Sequence, residues 1–196
     1  MSELVDRLFG LKDAVALITG SSAGIGLALA RGLAGAGARV VVNGRTPATV
    51  EAAAASLRDG GATVFAAPFD VTKSEEVGEA IGRIEAEFGP IDILVNNAGI
   101  QRRGALEDYA EETWRELMRA NLDSVFLVGQ AVARRMIPRR RGSIVNVASV
   151  QSELARISIA PYTASKGAVK MLTKGMAADW GKHGIRVKIQ AKPLAQ

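Results

Sequence analysis

The chain has 196 residues, of which 48% are hydrophobic and 23% are charged, a balance typical of a globular protein and not of a disordered one. It contains no cysteine and a single histidine, which excludes disulfides and thiolate metal sites and leads us to predict no bound metal. The net charge of +5 and the aromatic content of 5% favour a small anionic ligand, and we expect no nucleic-acid partner.

No apolar run reaches the roughly 20 residues that span a bilayer. The first residues also lack the basic and then apolar pattern of a secretory signal. We therefore expect a cytoplasmic protein with no membrane partner, folded as one domain over residues 1–196.

Short apolar runs alternate with longer helical patterns, which predicts βαβ units around a parallel sheet. Strands are predicted at residues 14–19, 39–42, 63–66, 91–95, 143–148 and 185–189, and helices at 25–36, 47–58, 74–88, 111–137 and about 161–183. Thr46 is the predicted N-cap of the second helix, either Thr72 or Ser74 caps the third, and Pro138 is expected to end the fourth. The predicted fold class is α/β, a Rossmann-type doubly wound parallel sheet in three αβα layers.

A glycine-rich turn joins the first strand to the first helix, in the segment Thr19-Gly20-Ser21-Ser22-Ala23-Gly24-Ile25-Gly26. Gly20 permits a tight turn, and Gly24 and Gly26 let a diphosphate approach the backbone at the helix N-terminus, where amide donors and the helix dipole favour anions. Glycine clusters also serve as plain turns, but this one follows a strand and opens a helix. We therefore predict a dinucleotide site at this turn.

Tyr162 and Lys166 are four residues apart at the start of the last predicted helix, which places both side chains on one face. A nearby ammonium group favours the phenolate form of a tyrosine, so the pair is suited to acid–base chemistry on a carbonyl or an alcohol. Ser149 follows an apolar run and could hydrogen-bond that carbonyl. On spacing alone, a tyrosine and a lysine on a solvated helix face would be the commoner arrangement.

Three motifs occur in register, namely TGxxxGIG at residues 19–26, Asn96-Asn97-Ala98-Gly99, and the ordered set Asn121, Ser149, Tyr162 and Lys166. On these residues the chain resembles the short-chain dehydrogenase/reductase family over about residues 10–187. The resemblance implies that Tyr162 is the general acid in reduction and the general base in oxidation, and that Lys166 stabilises its phenolate and binds the nicotinamide ribose. Ser149 would polarise the substrate carbonyl, and Asn121 would hold a water that links the lysine to solvent.

The resemblance also implies where a cofactor lies. Asn97 to Gly99 would form the floor beneath the adenine ribose, and Asp70 and Val71 would meet the adenine ring, although Asp70 alone would equally suit a helix cap or a turn. The predicted cofactor contacts are Gly20, Ser22, Gly24, Ile25, Gly26, Arg45, Asp70, Val71, Asn97, Ala98, Gly99, Tyr162 and Lys166.

The segment Asn43-Gly44-Arg45 bears on the choice between NADP and NAD. It lacks the carboxylate that would bind the 2′-hydroxyl of NAD, and Arg45 could hold the 2′-phosphate of NADP. Against this, Ala23 occupies a position where NADP-preferring relatives often carry a basic residue, and Arg45 could be an ordinary exposed loop residue. We predict NADP(H) as the cofactor, with NAD as the alternative.

The predicted substrate residues are Arg102, Arg103, Ser149, Gln151 and Glu153. The segments around them, 99–103 and 149–156, resemble the gluconate 5-dehydrogenases, a group within the family that interconverts D-gluconate and 5-keto-D-gluconate. Either arginine could pair with the carboxylate of a sugar acid, or both could face solvent, while Gln151 and Glu153 could bond to its hydroxyls. We predict a sugar-acid oxidoreductase, with reduction of another carbonyl, such as a 3-oxoacyl thioester, as the alternative.

The resemblance stops after Val187, where family members usually continue with a further strand and helix. We therefore expect a truncated chain with an unpaired edge at its sixth strand, and a non-catalytic chain that still binds cofactor is a second alternative to the enzyme. Relatives commonly assemble through the helices that correspond to residues 111–137 and 161–183, so we expect a homo-oligomer, a tetramer by resemblance.

Overall fold

The computed structural model describes residues 10–191, and its centre is a parallel sheet of six strands. The strands are β1 Val15–Ile18, β2 Arg39–Gly44, β3 Val64–Pro68, β4 Ile91–Asn96, β5 Gly142–Val147 and β6 Ile185–Gln190. Their order across the sheet is β3-β2-β1-β4-β5-β6. The chain therefore steps outward from β1 to β3 and then returns to the other side of β1, which is the doubly wound topology predicted from the sequence.

Helices cover both faces of this sheet. Within the described residues they are α1 Gly24–Gly35, α2 Pro47–Asp59, α3 Ser74–Glu87, α4 Glu111–Met118, α5 Ser124–Arg139 and α6 Ala160–Gly181. Helices α3, α5 and α6 share one buried cluster, which includes Ile81, Val128 and Met176. Helices α1 and α2 pack on the opposite face through Ala30 and Leu57. The three αβα layers are thus confirmed.

The central strand β1 shows why its sequence is continuously apolar. All of its residues are buried, because Val15 and Leu17 belong to one core cluster and Ala16 and Ile18 to the other. Successive side chains of a strand point to opposite faces, and here both faces are covered by helices. The strand ends directly at the glycine-rich turn, at the edge of the sheet where ligands of such folds bind.

The predicted helix over residues 111–137 is wrong in two respects. A π-helical turn at Arg119–Asp123 separates α4 from α5, so the segment is not one regular helix. Pro138 does not end α5 but lies inside its last turn. The helix ends at Arg139, and the C-cap residue Arg140 adopts a left-handed conformation with φ of 51°. A proline this close to a helix end removes one hydrogen bond without interrupting the turns before it.

The predicted caps also differ from the structure. Thr46 occupies the N-cap position of α2 but its side chain forms no capping bond. Lys73, and neither Thr72 nor Ser74, is the N-cap residue of α3. Instead Asp70 Oδ1 accepts bonds from both the amide and the hydroxyl of Thr72 (2.9 and 2.8 Å), so the polar side chains order the turn that precedes the helix.

Strand β6 lies at one edge of the sheet and, within residues 10–191, pairs only with β5. Its Ile189 side chain is 40% exposed. None of the helices in this part of the chain is long and apolar enough to cross a bilayer.

Candidate active site

A cavity of about 400 Å³ opens at the carboxyl ends of the central strands. Of the residues predicted to bind a cofactor, its lining contains Gly20, Ser22, Arg45, Asp70, Val71, Asn97, Ala98 and Gly99. The lining also contains residues that the sequence did not single out for binding, namely Asn43, Gly44, Phe69, Thr72, Ile100, Glu116, Arg119 and Ala120. Four of the additional residues adjoin a predicted cofactor residue in the chain, namely Gly44, Phe69, Thr72 and Ile100, whereas those from α4 and the π turn reach the cavity only through the fold.

The glycine turn is shaped by close backbone contacts. Gly20 has a positive φ of 62°, and a Cβ there would lie 2.9 Å from the Cα of Ala98. A Cβ on Gly26 would lie 2.2 Å from the carbonyl oxygen of Gly20 and 2.6 Å from Nδ2 of Asn97. Since real Cβ atoms do not approach other atoms so closely, only glycine fits at these two positions.

Thr19 fastens the loop after β4 to this turn. Its hydroxyl oxygen accepts hydrogen bonds from the amides of Asn97 (3.0 Å) and Ala98 (3.1 Å). The Asn97 side chain returns the contact, because Nδ2 donates to the carbonyls of Thr19 (3.0 Å) and Gly20 (3.1 Å). This role of Thr19 was not predicted from the sequence, although the residue directly precedes the first glycine of the turn.

Helix α1 presents its N-terminus beside the cavity. Gly24 and Ile25 open the helix, and neither they nor Gly26 line the cavity wall. The N-cap residue Ala23 makes no side-chain capping bond, and the first turn carries no acidic residue. Amide donors at such a terminus suit an anion, and the open space over Gly24, where a Cβ would meet no atom within 4 Å, leaves room for the diphosphate of a dinucleotide. The residues present therefore fit such a cofactor.

A smaller cavity of about 120 Å³ adjoins the first. Its lining consists of Asn97, Gly99, Ile100, Gln101, Val147, Ala148, Tyr162 and Lys166. Asn97, Gly99 and Ile100 line both cavities, so the two lie side by side. The predicted tyrosine and lysine therefore line a cavity next to the one that contains most of the predicted dinucleotide contacts.

Lys166 is 95% buried, with 5% of its surface exposed. Its ammonium nitrogen donates to the carbonyl oxygen of Val147 at 2.9 Å and lies 5.8 Å from the centroid of the Tyr162 ring. A buried ammonium group of this kind needs polar partners, and the end of β5 supplies one of them. The arrangement holds a positive charge beside the tyrosine ring at the cavity wall.

Asn121 lies in the π turn, and its carboxamide joins three parts of the fold. Oδ1 accepts from the Ile100 amide at 2.7 Å, and Nδ2 donates to the Ile100 carbonyl at 2.9 Å. Nδ2 also donates to the Ser165 hydroxyl at 3.1 Å, which in turn donates to the carbonyl of Tyr162 at 2.7 Å. Asn121 therefore ties the loop after β4 to the first turn of α6, and the local widening of a π turn is often found at functional sites.

Ser149 and Gln151 lie together in the turn that follows β5. Both side chains are buried, and the Gln151 amide donates to the Ser149 hydroxyl oxygen at 3.2 Å. The carbonyl oxygen of the Gln151 side chain, Oε1, is buried and has no hydrogen-bond partner among residues 10–191. A buried amide oxygen without a partner is costly, but neither Gln151 nor Ser149 lines either of the two cavities.

The charged residues predicted to contact the substrate lie at the surface. Arg102 is exposed and forms an ion pair with Glu116 at 3.1 Å, and Arg103 is exposed as well. Glu153 is exposed and paired with Lys170. None of these predicted substrate residues lines either cavity.

In the part of the chain that the structure describes, no group of three or more histidine, cysteine or acidic side chains is placed to hold a metal ion.

Comparison with known proteins identifies the family. The model of the short chain dehydrogenase family matches residues 14–193. The gluconate 5-dehydrogenase of Gluconobacter oxydans (strain 621H) is 57% identical over 180 residues, which are 92% of this chain and 70% of that protein. The 5-keto-D-gluconate 5-reductase of Escherichia coli (strain K12) is 48% identical over 183 residues, 93% of this chain and 72% of that protein.

A solved structure gives the same result. The gluconate 5-dehydrogenase from Burkholderia cenocepacia J2315, crystallised in complex with NADP and tartrate, superposes with a TM-score of 0.94. It is 54% identical, and the match covers 97% of this chain and 74% of that one.

Proposed function

This chain belongs to the short chain dehydrogenase family of oxidoreductases, and we propose that it transfers a hydride between NADP(H) and a sugar acid, interconverting D-gluconate and 5-keto-D-gluconate. The observation that carries the proposal is that the two cavities lie side by side and share part of their lining. Tyr162 and Lys166 line the smaller one, and it shares Asn97, Gly99 and Ile100 with the larger one. A dinucleotide that fills the larger cavity would present its nicotinamide to these two side chains.

When bound, the nicotinamide supplies or accepts the hydride. Tyr162 gives its hydroxyl proton to the carbonyl oxygen during reduction and takes it back during oxidation. Lys166 stabilises the resulting phenolate by its positive charge, and its burial strengthens that interaction because little water screens it. Both side chains would also hold the nicotinamide ribose.

Ser149 orients the substrate in this proposal. Its oxygen already accepts a hydrogen bond from the Gln151 amide, which leaves its own hydrogen to donate to a substrate carbonyl. A donor aimed at the oxygen on which negative charge develops lowers the barrier of the chemical step.

Proton exchange with solvent is proposed to pass between Asn121 and Lys166. A Cβ on Gly99 would lie 3.0 Å from Asn121 Oδ1 and 3.8 Å from Lys166 Nζ, so both atoms border the space that this glycine leaves open. Among residues 10–191, Asn121 Oδ1 accepts a hydrogen bond from the Ile100 amide, and its second lone pair can accept from a water. A water at this position would connect the Lys166 ammonium group to bulk solvent by hydrogen bonds.

The proposed cofactor is NADP(H), because Arg45 and Ser22 line the larger cavity and its described lining at the end of β2 offers no carboxylate. A guanidinium matches the geometry of a phosphate group. Asp70 and Val71 line the same cavity and would enclose the adenine. The related structure from Burkholderia cenocepacia contains NADP, which supports this choice.

The proposed substrate class rests on the relatives, which act on gluconate or its 5-keto form by name. Gln151 would bond a substrate hydroxyl through its partnerless Oε1. For the carboxylate, Arg103 is better suited than Arg102, since Arg102 is already paired with Glu116 and Arg103 forms no ion pair within residues 10–191. Glu153 would have to leave Lys170 to reach a hydroxyl.

We also propose that the chain forms a homo-oligomer, a tetramer, through α5 and α6. These helices and the π turn line a largely apolar groove that contains Leu122, Leu127, Leu172, Phe126 and Met171. Phe126 and Met171 are 44% and 59% exposed. A monomer in sedimentation at micromolar concentration would contradict this. A Phe126→Asp variant that sediments like the natural chain would contradict the assignment of the interface to this groove.

The function is tested by following NADPH consumption by the purified 196-residue chain with 5-keto-D-gluconate, beside a Tyr162→Phe control. We expect turnover that the control abolishes. Turnover with a 3-oxoacyl thioester and none with the keto acid would replace the substrate class. A folded chain that binds NADPH without turnover of either compound would favour the non-catalytic alternative.

A further inference from the structure

The end of β2 is held in place from both sides. Asn43 Oδ1 accepts from the Gly20 amide at 3.1 Å, and its Nδ2 donates to the carbonyls of Ala67 (3.2 Å) and Phe69 (3.1 Å). The next residue, Gly44, accepts a bond at its carbonyl from the Phe69 amide at 3.1 Å. The backbone here therefore cannot shift without breaking the contacts among the glycine turn, β2 and β3.

Gly44 is required for reasons of space and not of conformation. Its φ is not positive, so any residue could adopt this backbone. However, a Cβ would lie 2.8 Å from Ser22 Oγ, 3.2 Å from Ser22 Cβ and 3.0 Å from Val50 Cγ2. The serine hydroxyl can rotate away, but the Cβ of Ser22, which is fixed to the turn, and the Val50 methyl would each have to move by a few tenths of an ångström, so Ser22 and Val50 together crowd any side chain at position 44.

This contact lies at the wall that distinguishes the two dinucleotides. In sheets of this topology a carboxylate near the end of the second strand bonds to the ribose 2′-hydroxyl of NAD. Here Ser22, Gly44 and Arg45 line the cavity at that point. A hydroxyl and a guanidinium offer donors to a phosphate ester, and the packing of Ser22 on Gly44 keeps a carboxylate out.

We infer that Ser22 is a specificity-determining residue through its packing on Gly44. It keeps position 44 without a side chain, so recognition at the 2′-position of the ribose is left to Arg45 and to the serine hydroxyl itself. The inference rests on the proposed use of NADP(H). Its consequence is that positions 22 and 44 are coupled, so that a carboxylate at position 44 is accommodated more readily once the serine side chain is gone and Val50 alone has to move.

The test measures equilibrium binding of NADP⁺ and NAD⁺ by titration calorimetry, without substrate. The proteins are the natural chain, Ser22→Gly, Gly44→Asp and the double variant. We expect Gly44→Asp alone to unfold at lower urea concentration and to gain little affinity for NAD⁺. In the double variant the preference should shift toward NAD⁺ by roughly tenfold beyond the product of the single changes, because a charged hydrogen bond to the ribose then forms.

Gly44→Ala, which adds the Cβ without a charge, tests the packing itself. It should lower the urea midpoint of the natural chain and do so less in the Ser22→Gly background. Gly78→Ala is the matched control, since a Cβ on this glycine of α3 meets no atom within 4 Å, and it should not lower the midpoint.

The inference would be overturned if Gly44→Asp alone shifted the preference fully to NAD⁺. It would also be overturned if the Gly44→Ala variant were as stable as the natural chain. A natural chain that binds neither dinucleotide would refute the proposed function directly, before any variant is compared, and the inference would fall with it. A natural chain that prefers NAD⁺ would also overturn the inference while leaving the oxidoreductase proposal standing.

Discussion

The two adjoining cavities are built by different physical means. The larger one is shaped by backbone atoms and by glycines that allow close approach, as where a Cβ on Gly20 would lie 2.9 Å from the Cα of Ala98. The smaller one depends on long side chains, Tyr162 and Lys166, that α6 brings against the ends of β4 and β5. The larger cavity is therefore sensitive to atoms that are added, and the smaller one to atoms that are removed.

The strongest test of this contrast removes one atom from the smaller cavity. Tyr162→Phe deletes the hydroxyl proposed to transfer the proton, and we expect kcat to fall roughly 10²- to 10⁴-fold while the free energy of unfolding changes by less than about 1 kcal/mol. Steady-state kinetics and urea unfolding measure the two quantities. Retained turnover would show that another group transfers the proton.

The next effect comes from one carbon added to the glycine turn, against two residues that line the larger cavity. Gly26→Ala places a Cβ against Gly20 and Asn97, and we expect a loss of about 1–3 kcal/mol in the free energy of unfolding together with loss of dinucleotide binding. Urea unfolding and titration calorimetry measure these changes. Gly78→Ala is the control, since a Cβ in open space on a helix should stabilise by about 0.5–1 kcal/mol. If Gly26→Ala and Gly78→Ala changed the free energy of unfolding equally, the glycine turn would be no more sensitive to an added carbon than an open helix position.

Gly99 lines both cavities, so a variant at this position shows whether an added carbon affects dinucleotide binding or the chemical step. A Gly99→Ala variant places its Cβ between Asn121 Oδ1 and Lys166 Nζ, where we propose that a water passes protons. We expect kcat to fall roughly tenfold, with a smaller change in the dissociation constant of NADP⁺. If instead binding weakens and kcat is unchanged, Gly99 belongs functionally to the larger cavity alone.

The smallest expected effect lies outside both cavities, at Glu76. The Asp70 amide, which donates to its carboxylate at 2.8 Å, lowers the pKa of Glu76, and the Lys73 side chain lowers it further. A depressed pKa in the folded state stabilises the protein above the ordinary value of about 4.5, and this stability is lost as the pH falls through the lower folded pKa. Urea midpoints of the natural chain and Glu76→Gln should therefore differ slightly at neutral pH and converge in acid. A constant difference across that range would contradict the assignment.

Much of the fold could be read from patterns among neighbouring residues. The apolar run of β1 is buried on both faces, and the glycines at 20, 24 and 26 follow it as expected for a doubly wound sheet. The spacing of Tyr162 and Lys166 placed both on one face of α6, and both line one cavity. Such features depend on repeat distances of three to four residues in a helix and two in a strand, which the sequence displays directly.

Other features depend on atoms that are distant in the chain. The π turn at Arg119–Asp123 interrupts a sequence pattern that predicts one helix. Arg102, one of the two arginines considered for the substrate carboxylate, is instead paired with Glu116. The sequence alone determined the fold class, the family motifs and the side chains with the required chemistry. The tertiary structure decided that Ser22 packs on Gly44 and that Gly99 opens the space between Asn121 and Lys166, because such contacts of a few ångströms arise only when strands and helices far apart in sequence are packed together.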